Sequence, residues 1–359
     1  MVDASSNLPV TYVDGFHDKD AVLKMTYNPL GNTGMKPSVI SFGASALGSV
    51  FRQTDNSESY QVVKYVIKNG INYIDVAPWY GHGKAETVLG QGLQGVPRDA
   101  YYITTKVGRY LPEAEKMFDF RAERTIQSVD ESLQRLGLDY VDVIQVHDME
   151  FAPNLDIIVN ETLPALQKVK ESGKAKFIGI TGYPMDNFRT VLERSRVKID
   201  TILTYCHACM NDNSLADYLP YFKEKGVGVV NASPIGMGLL TDRGPASWHP
   251  AQPDIKDTCA KAAAYCRDKG VDISRLALAF TFQQPIPTTL FSTASLVNAK
   301  KNFDCVYTPL TALEEQTSQE VMERYMKPLN NKNWEGVEVK GYWDALRGQS
   351  DSFKTSKVD

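Results

Sequence analysis

Residues 101–147 read YYITTKVGRYLPEAEKMFDFRAERTIQSVDESLQRLGLDYVDVIQVH. Two short runs rich in β-branched and apolar residues, 101–105 and 141–146, have the composition of strands. Between them, Ile126, Val129 and Leu133 recur at i, i+3 and i+7, the spacing of an amphipathic helix over 122–136. Two strands joined through a helix lie parallel, because parallel neighbours need a long crossover. The unit repeats outward in both directions. Strand-like runs fall at 39–42, 72–75, 176–180, 201–204, 228–231 and 288–292. Helical spacing appears at 59–68, with Val62, Val63, Val66 and Ile67 on one side, and at 158–171, 185–194, 215–225, 255–268 and 272–282. Eight such strands alternating with helices over roughly 290 residues predict a closed (β/α)8 TIM barrel of the α/β class. A doubly wound sheet is the alternative. The first βα turn, Gly43-Ala44-Ser45-Ala46-Leu47-Gly48, lacks its Gly-x-Gly-x-x-Gly spacing.

Residues 25–42 read as two strands around Gly31-Asn32-Thr33-Gly34, a β-hairpin that would plug one mouth of the barrel. After Phe303 the chain is more polar and less periodic; a helix over 311–325 and a tail lying over the barrel are expected there, with Trp334, Tyr342 and Trp343 in the tail. The predicted organisation is one domain: an N-terminal extension and hairpin at 1–38, a barrel core at 39–305 and a C-terminal extension at 306–359. A hydrophobic fraction of 43% and a charged fraction of 23% exclude wholesale disorder. A net charge of −4 argues against a nucleic-acid partner. No apolar run approaches the roughly 20 residues that cross a bilayer, so no membrane partner is expected. The start MVDASSNLPVTYVDG shows no signal-peptide pattern, and five cysteines form a sparse, odd set. A cytoplasmic location is the expectation.

In such a barrel, polar residues at the C-terminal ends of strands converge on one mouth. Asp75 ends the second strand and Tyr80 follows in its loop; Lys106 closes the third strand and His147 the fourth. Singly, each reads more readily as a structural ion pair, a loop-packing phenol or a satisfied imidazole. Together they place an acid, a phenol, an amine and an imidazole on consecutive strand ends.

The run Asn72-Tyr73-Ile74-Asp75-Val76-Ala77-Pro78-Trp79-Tyr80-Gly81, followed by Glu86-Thr87-Val88-Leu89-Gly90, resembles the aldo-keto reductase signature. Thr104-Thr105-Lys106 and Asp142-Val143-Ile144-Gln145-Val146-His147 match that family in order and approximate spacing, and the likeness spans nearly all of 25–305. The stretches 42–51, Tyr205-Cys206-His207 and 232–240 look most like its L-galactose dehydrogenase branch. The resemblance implies a catalytic tetrad of Tyr80, Lys106, Asp75 and His147 and reversible NAD(P)-dependent hydride transfer between nicotinamide and a carbonyl or alcohol. Tyr80 would be the proton donor, Lys106 would lower its pKa, Asp75 would keep Lys106 charged and His147 would orient the carbonyl oxygen. Some relatives bind cofactor without catalysing and serve as regulatory subunits, so that role is the alternative.

The same resemblance implies a dinucleotide site. Gly43, Ala44, Ser45 and Asp75 would contact the cofactor, with Thr181 and Gly182 at the nicotinamide carboxamide, where the family usually has Ser-Asn. Ser233, Pro234, Ile235, Gly236 and Leu239 would wrap the diphosphate. Ala232 stands where an aromatic often stacks on nicotinamide, leaving Tyr205 as a candidate support. Ser292, Thr293, Ser295, Asn298 and Asn302 match the adenosine end. NADP-specific members usually carry basic residues where Ser292 and Asn298 align, so NAD is favoured over NADP; Lys300 and Lys301 are the counter-signal. Candidate substrate walls are Ser45, Trp79, Tyr110, Met149, Phe151 and Trp248, an apolar, aromatic set that leaves aldehydes, ketones, aldoses and ketosteroids open. A small-molecule partner and a monomer or weak homodimer are implied.

Cys206-His207-Ala208-Cys209 has C-x-x-C spacing, but Cys259 and Cys266, seven apart on one predicted helix, make a poor second pair, so buried thiols rather than a metal site are expected. Gly81-His82-Gly83-Lys84-Ala85 is not a phosphate-binding P-loop, since Pro78 replaces the first glycine and Ala85 the hydroxyl.

Overall fold

A computed structural model describes residues 8–348. Its strands are β1 Ile40–Gly43, β2 Tyr73–Asp75, β3 Tyr102–Val107, β4 Val141–Val146, β5 Ala175–Gly182, β6 Thr201–Tyr205, β7 Gly228–Ala232 and β8 Thr288–Ser292. Each pairs in parallel with its sequence neighbour, and β8 returns to β1, closing the barrel. The register sets Gly43 beside Asp75, Asp75 beside Thr104 and Lys106 beside Gln145, so the polar strand ends share one rim.

The helices form as their spacing dictates, with informative exceptions. Helix Asn56–Lys68 starts at Asp55, whose carboxylate accepts the Glu58 N–H, and buries Val62, Val63, Val66 and Ile67. Helix Ala122–Leu136 buries Val129 and Leu133, but Ile126 is exposed. Thr125, Ser128 and Ser132 complete its inward face. Small side chains suit a close approach there: a Cβ added at Gly90 would lie 2.7 Å from the carbonyl oxygens of Arg135 and Leu136. The stretch predicted as one helix over 158–171 opens with a π-helical turn, Ile158–Thr162, before helix Leu163–Glu171, which has Pro164 in its first turn.

The expected hairpin seals the N-terminal mouth. Tyr27 and Ser38 bridge antiparallel, the Leu30 amide donates to Met35 O, and Leu30 and Met35 fill the barrel interior beside Tyr73, Val143, Leu203, Val230 and Leu290. Gly31 has φ +52, and a Cβ there would lie 2.3 Å from Gly228 N, so only glycine lets the turn press against β7. The interior is thus packed from below, leaving the C-terminal rim to hold a site.

The segment expected as a tail is more ordered than its polarity suggests. After helix Ala312–Val321, Trp334 stacks on Tyr183 at 5.1 Å, and helix Val337–Leu346 docks Tyr342 edge-on to Phe118 (5.0 Å) and Phe151 (5.7 Å) at the C-terminal rim. No helix among the described residues is long and apolar enough to cross a membrane.

Candidate active site

Close backbone contact fixes the β2 loop. A Cβ at Gly48 would lie 2.4 Å from Tyr80 O, and one at Gly81, whose φ is +65, would lie 2.2 Å from Gly48 O. The β1 and β2 loops therefore cross glycine on glycine, and the crossing sets the position of Tyr80. Lys106 Nζ donates to Asp75 Oδ1 (2.5 Å), to Val76 O (3.0 Å) and to Tyr80 Oη (3.2 Å). Gln145 Nε2 holds the second Asp75 oxygen at 3.1 Å and also reaches Thr104 Oγ1. The ring of His147 lies edge-on to Tyr80 with centroids 5.8 Å apart. The four strand-end residues thus meet, with Lys106 and Asp75 buried and Tyr80 half-buried.

Burial is the largest influence on each group. It works against the Lys106 charge, but Asp75 and Tyr80 outweigh it and raise the lysine pKa, so Lys106 is an ammonium. Burial also raises the Tyr80 phenol above its ordinary value, against the downward pull of Lys106. Lys106 pulls the phenol down as expected, but desolvation exceeds the attraction of one ammonium that is already shared with a carboxylate. Burial pushes His147 down to about 3, leaving a neutral imidazole at physiological pH.

A second polar shell adjoins the tetrad. Arg109 Nη1 binds Asp148 Oδ2 at 2.5 Å, and His147 Nε2 lies 3.5 Å from the same oxygen. The Arg109 guanidinium also lies 4.1 Å over the ring of Trp79 and faces Phe118 and Phe151. Thr181 Oγ1 accepts the Asp148 N–H at 3.0 Å. Gly182 stands where a Cβ would come 2.6 Å from Glu150 Oε2, the tip of a side chain that would have to turn aside.

The expected substrate walls divide. Trp79 reaches the mouth over Arg109. Phe151 stacks on Phe118 at 4.4 Å beneath the C-terminal helix, and Met149 is buried close to Gly182. Tyr110 turns elsewhere: its hydroxyl accepts the Gly108 N–H, its ring lies under the Arg124 guanidinium, and it lines an outer cleft of about 360 Å³ with His82 and Arg135. Trp248 is half-buried beside His249 on the loop after β7. The rim is more polar than the aromatic list implied, since Arg109, Asp148, Glu150 and Glu338 gather there.

The residues expected around a dinucleotide lie on the same rim. Gly43 and Ala44 are buried at the end of β1, and Ser45 Oγ donates to Ser292 Oγ at 2.9 Å. In the loop after β7, Ser233, Gly236, Met237 and Gly238 all have positive φ, and the amides of Gly236, Gly238, Leu239 and Leu240 donate to carbonyls within the same loop. Pro234 and Ile235 lie within it, Leu239 is buried behind it, and His249 Nε2 pairs with Gly236 O. Beside it, the Asn211 side chain is buried with neither amide atom paired among the described residues, and its Oδ1 would lie 3.5 Å from a Cβ at Gly236. An orphaned amide facing a left-handed loop fits a phosphate-bearing ligand. Thr293 Oγ1 accepts the Ser295 N–H, and Asn298 and Asn302 stand one turn apart on helix Leu296–Tyr307. At the start of that helix, Glu58 Oε1 accepts the Leu296 N–H at 2.9 Å. Asn211, Glu58, Arg109 and Glu338 escape sequence reading. Only Arg109, three residues past Lys106, carries a positional hint.

A barrel with this rim defines a class of protein. Residues 39–324 match the aldo/keto reductase family, and the chain belongs to it. It is an NAD(P)-dependent oxidoreductase that acts on CH–OH donors, and the non-catalytic alternative is not favoured. It is 46% identical over 317 residues to L-galactose dehydrogenase of Arabidopsis thaliana, covering 87% of this chain and 97% of that one. It is 29% identical over 330 residues to D-arabinose 1-dehydrogenase of Saccharomyces cerevisiae, covering 86% and 95%. Among solved structures, the holo form of an aldo-keto reductase from Bacillus halodurans matches with a TM-score of 0.65 at 27% identity, over 83% of this chain and 96% of that one.

Proposed function

We propose that the protein is an aldose dehydrogenase that oxidises the anomeric C–OH of a cyclic sugar to the lactone with NAD, using Tyr80 as the proton-transferring group. The contact that carries this reading is Lys106 Nζ at 3.2 Å from Tyr80 Oη, backed by Asp75 at 2.5 Å. A bound nicotinamide dinucleotide supplies the hydride acceptor for oxidation and the donor for reduction. Tyr80 takes the alcohol proton as the hydride leaves, and returns it to the carbonyl oxygen in reduction. Lys106 stabilises the phenolate that this requires, and Asp75 and Gln145 keep the ammonium aimed. Neutral His147 offers a ring nitrogen to the substrate oxygen without adding a second positive charge. The sugar class rests on the relatives named L-galactose dehydrogenase and D-arabinose 1-dehydrogenase.

Two features support NAD over NADP. Ser292 and Asn298 carry no charge to meet a 2′-phosphate, and Glu58 places a carboxylate at the start of helix Leu296–Tyr307, where it would repel one. The test is NADH and NADPH formation by purified protein with a panel of aldoses. Aldose-dependent NADH formation is expected. Turnover confined to aldehydes or ketosteroids would remove the sugar reading.

A further inference from the structure

Glu338 takes no part in the tetrad and is half-buried. It lies in the first turn of helix Val337–Leu346, one turn before Tyr342 and so on the same face. Tyr342 packs on Phe118 and Phe151, and both of those rings face the Arg109 guanidinium. The docking therefore turns Glu338 towards the rim, where Arg109 and Asp148 both act on its carboxyl. The same carboxyl acts on Tyr205, at the end of β6. Glu338 thus lies within electrostatic reach of Arg109, Asp148 and Tyr205, and no hydrogen bond to its carboxyl occurs among the described residues. Arg109 shares its charge between Glu338 and Asp148, which it binds at 2.5 Å. Burial, followed by the opposing pull of Arg109 and the push of Asp148, brings its pKa up to about 7. A half-buried carboxyl with no protein donor gains from a ligand that brings hydroxyl groups.

We propose that Glu338 is a specificity-determining residue whose carboxyl accepts hydrogen bonds from the hydroxyls of a polyhydroxylated substrate remote from its reacting carbon. The proposal rests on the aldose reading above. A carboxylate accepts from two neighbouring hydroxyls at once, so a vicinal diol fits it, whereas a monofunctional aldehyde has nothing to offer it. Helix Val337–Leu346 is then a substrate-binding element, aimed by Tyr342.

The experiment compares Glu338→Gln and Glu338→Ala with the wild type on two substrates: an aldose, oxidised with NAD, and propanal, reduced with NADH. Dissociation constants for NAD and NADH are measured by fluorescence. For Glu338→Ala the expected result is a fall of about tenfold or more in kcat/KM for the aldose, mostly in KM, since a charge-assisted hydrogen bond contributes about 1.5–3 kcal/mol. Propanal reduction and both dissociation constants should stay within about twofold. Glu338→Gln, which keeps one carbonyl acceptor in the same shape, should lose less. Equal losses on aldose and propanal would show that Glu338 merely supports the helix, and no loss on either would show that it touches no substrate; both overturn the proposal. A wild type that oxidises no aldose would instead sink the function reading, and this one with it. Aldose turnover with an unchanged ratio of aldose to propanal in the variants sinks this one alone.

Discussion

At the scale of single residues, the site depends on a phenol whose two chemical states are both needed. Burial favours the protonated form of Tyr80, which suits it to donate, while Lys106 makes the phenolate accessible for oxidation. Tyr80→Phe should cut turnover by about 10²–10⁴-fold and leave dinucleotide binding within a few-fold, read by steady-state kinetics and fluorescence titration. Near-full activity would remove Tyr80 from the mechanism. Lys106→Met withdraws the charge that opposes desolvation, so the rising, low-pH limb of the oxidation profile should move to higher pH; an unmoved limb would show that the ammonium does not act on the phenol.

At the scale of elements, the most exacting contact is the crossing of the β1 and β2 loops. Gly48→Ala puts a methyl into the Tyr80 carbonyl, and backbone on both sides leaves nowhere for it to go. The expectation is a folded barrel, by circular dichroism, with kcat lowered at least about tenfold as Tyr80 is displaced. Unchanged kcat would mean that the loop has slack. The C-terminal segment is held differently, by aromatic stacking. Trp334 is buried against Tyr183, with His249 edge-on at 4.9 Å. Trp334→Ala should cost about 3–5 kcal/mol in urea unfolding; a cost below about 1 kcal/mol would show that the extension adds little to the fold.

For the whole molecule, buried histidines link stability to acidity. Burial holds His147 down to about 3 and His249 to about 4, while both take up protons near 6.5 in the unfolded chain. Their stabilising contribution is complete above about 6.5 and is lost as pH falls through the folded values, because only the unfolded state gains the proton in that window. Each should contribute a slope of about 1.4 kcal/mol per pH unit between roughly pH 6 and 4. The double variant His147→Asn, His249→Asn should show a visibly flatter dependence of its unfolding midpoint on pH. An unaltered slope would place the acid sensitivity elsewhere.

Much of this architecture is written in local pattern. The alternation of strand runs with 3.6-residue spacing predicts the barrel, and Gly31 to Gly34 marks the hairpin, because periodicity and left-handed turns are properties of neighbouring residues. Where the sequence misleads, the cause is a neighbour distant along the chain. Ile126 has the right spacing but yields its place to Thr125, Ser128 and Ser132, since close helix packing selects small side chains. Helix Val337–Leu346 looks like a polar tail until Phe118 and Phe151 supply the surface for Tyr342. Tyr110 has the composition of a pocket wall and faces an outer cleft. The sequence by itself determined the fold class and which side chains sit at strand ends. Only the tertiary structure decided that Lys106 reaches Tyr80, that burial outweighs its charge at the phenol, and that Glu338 and Asn211 join the rim. Distance, desolvation and electrostatic balance arise between residues far apart in the chain, and no local pattern encodes them.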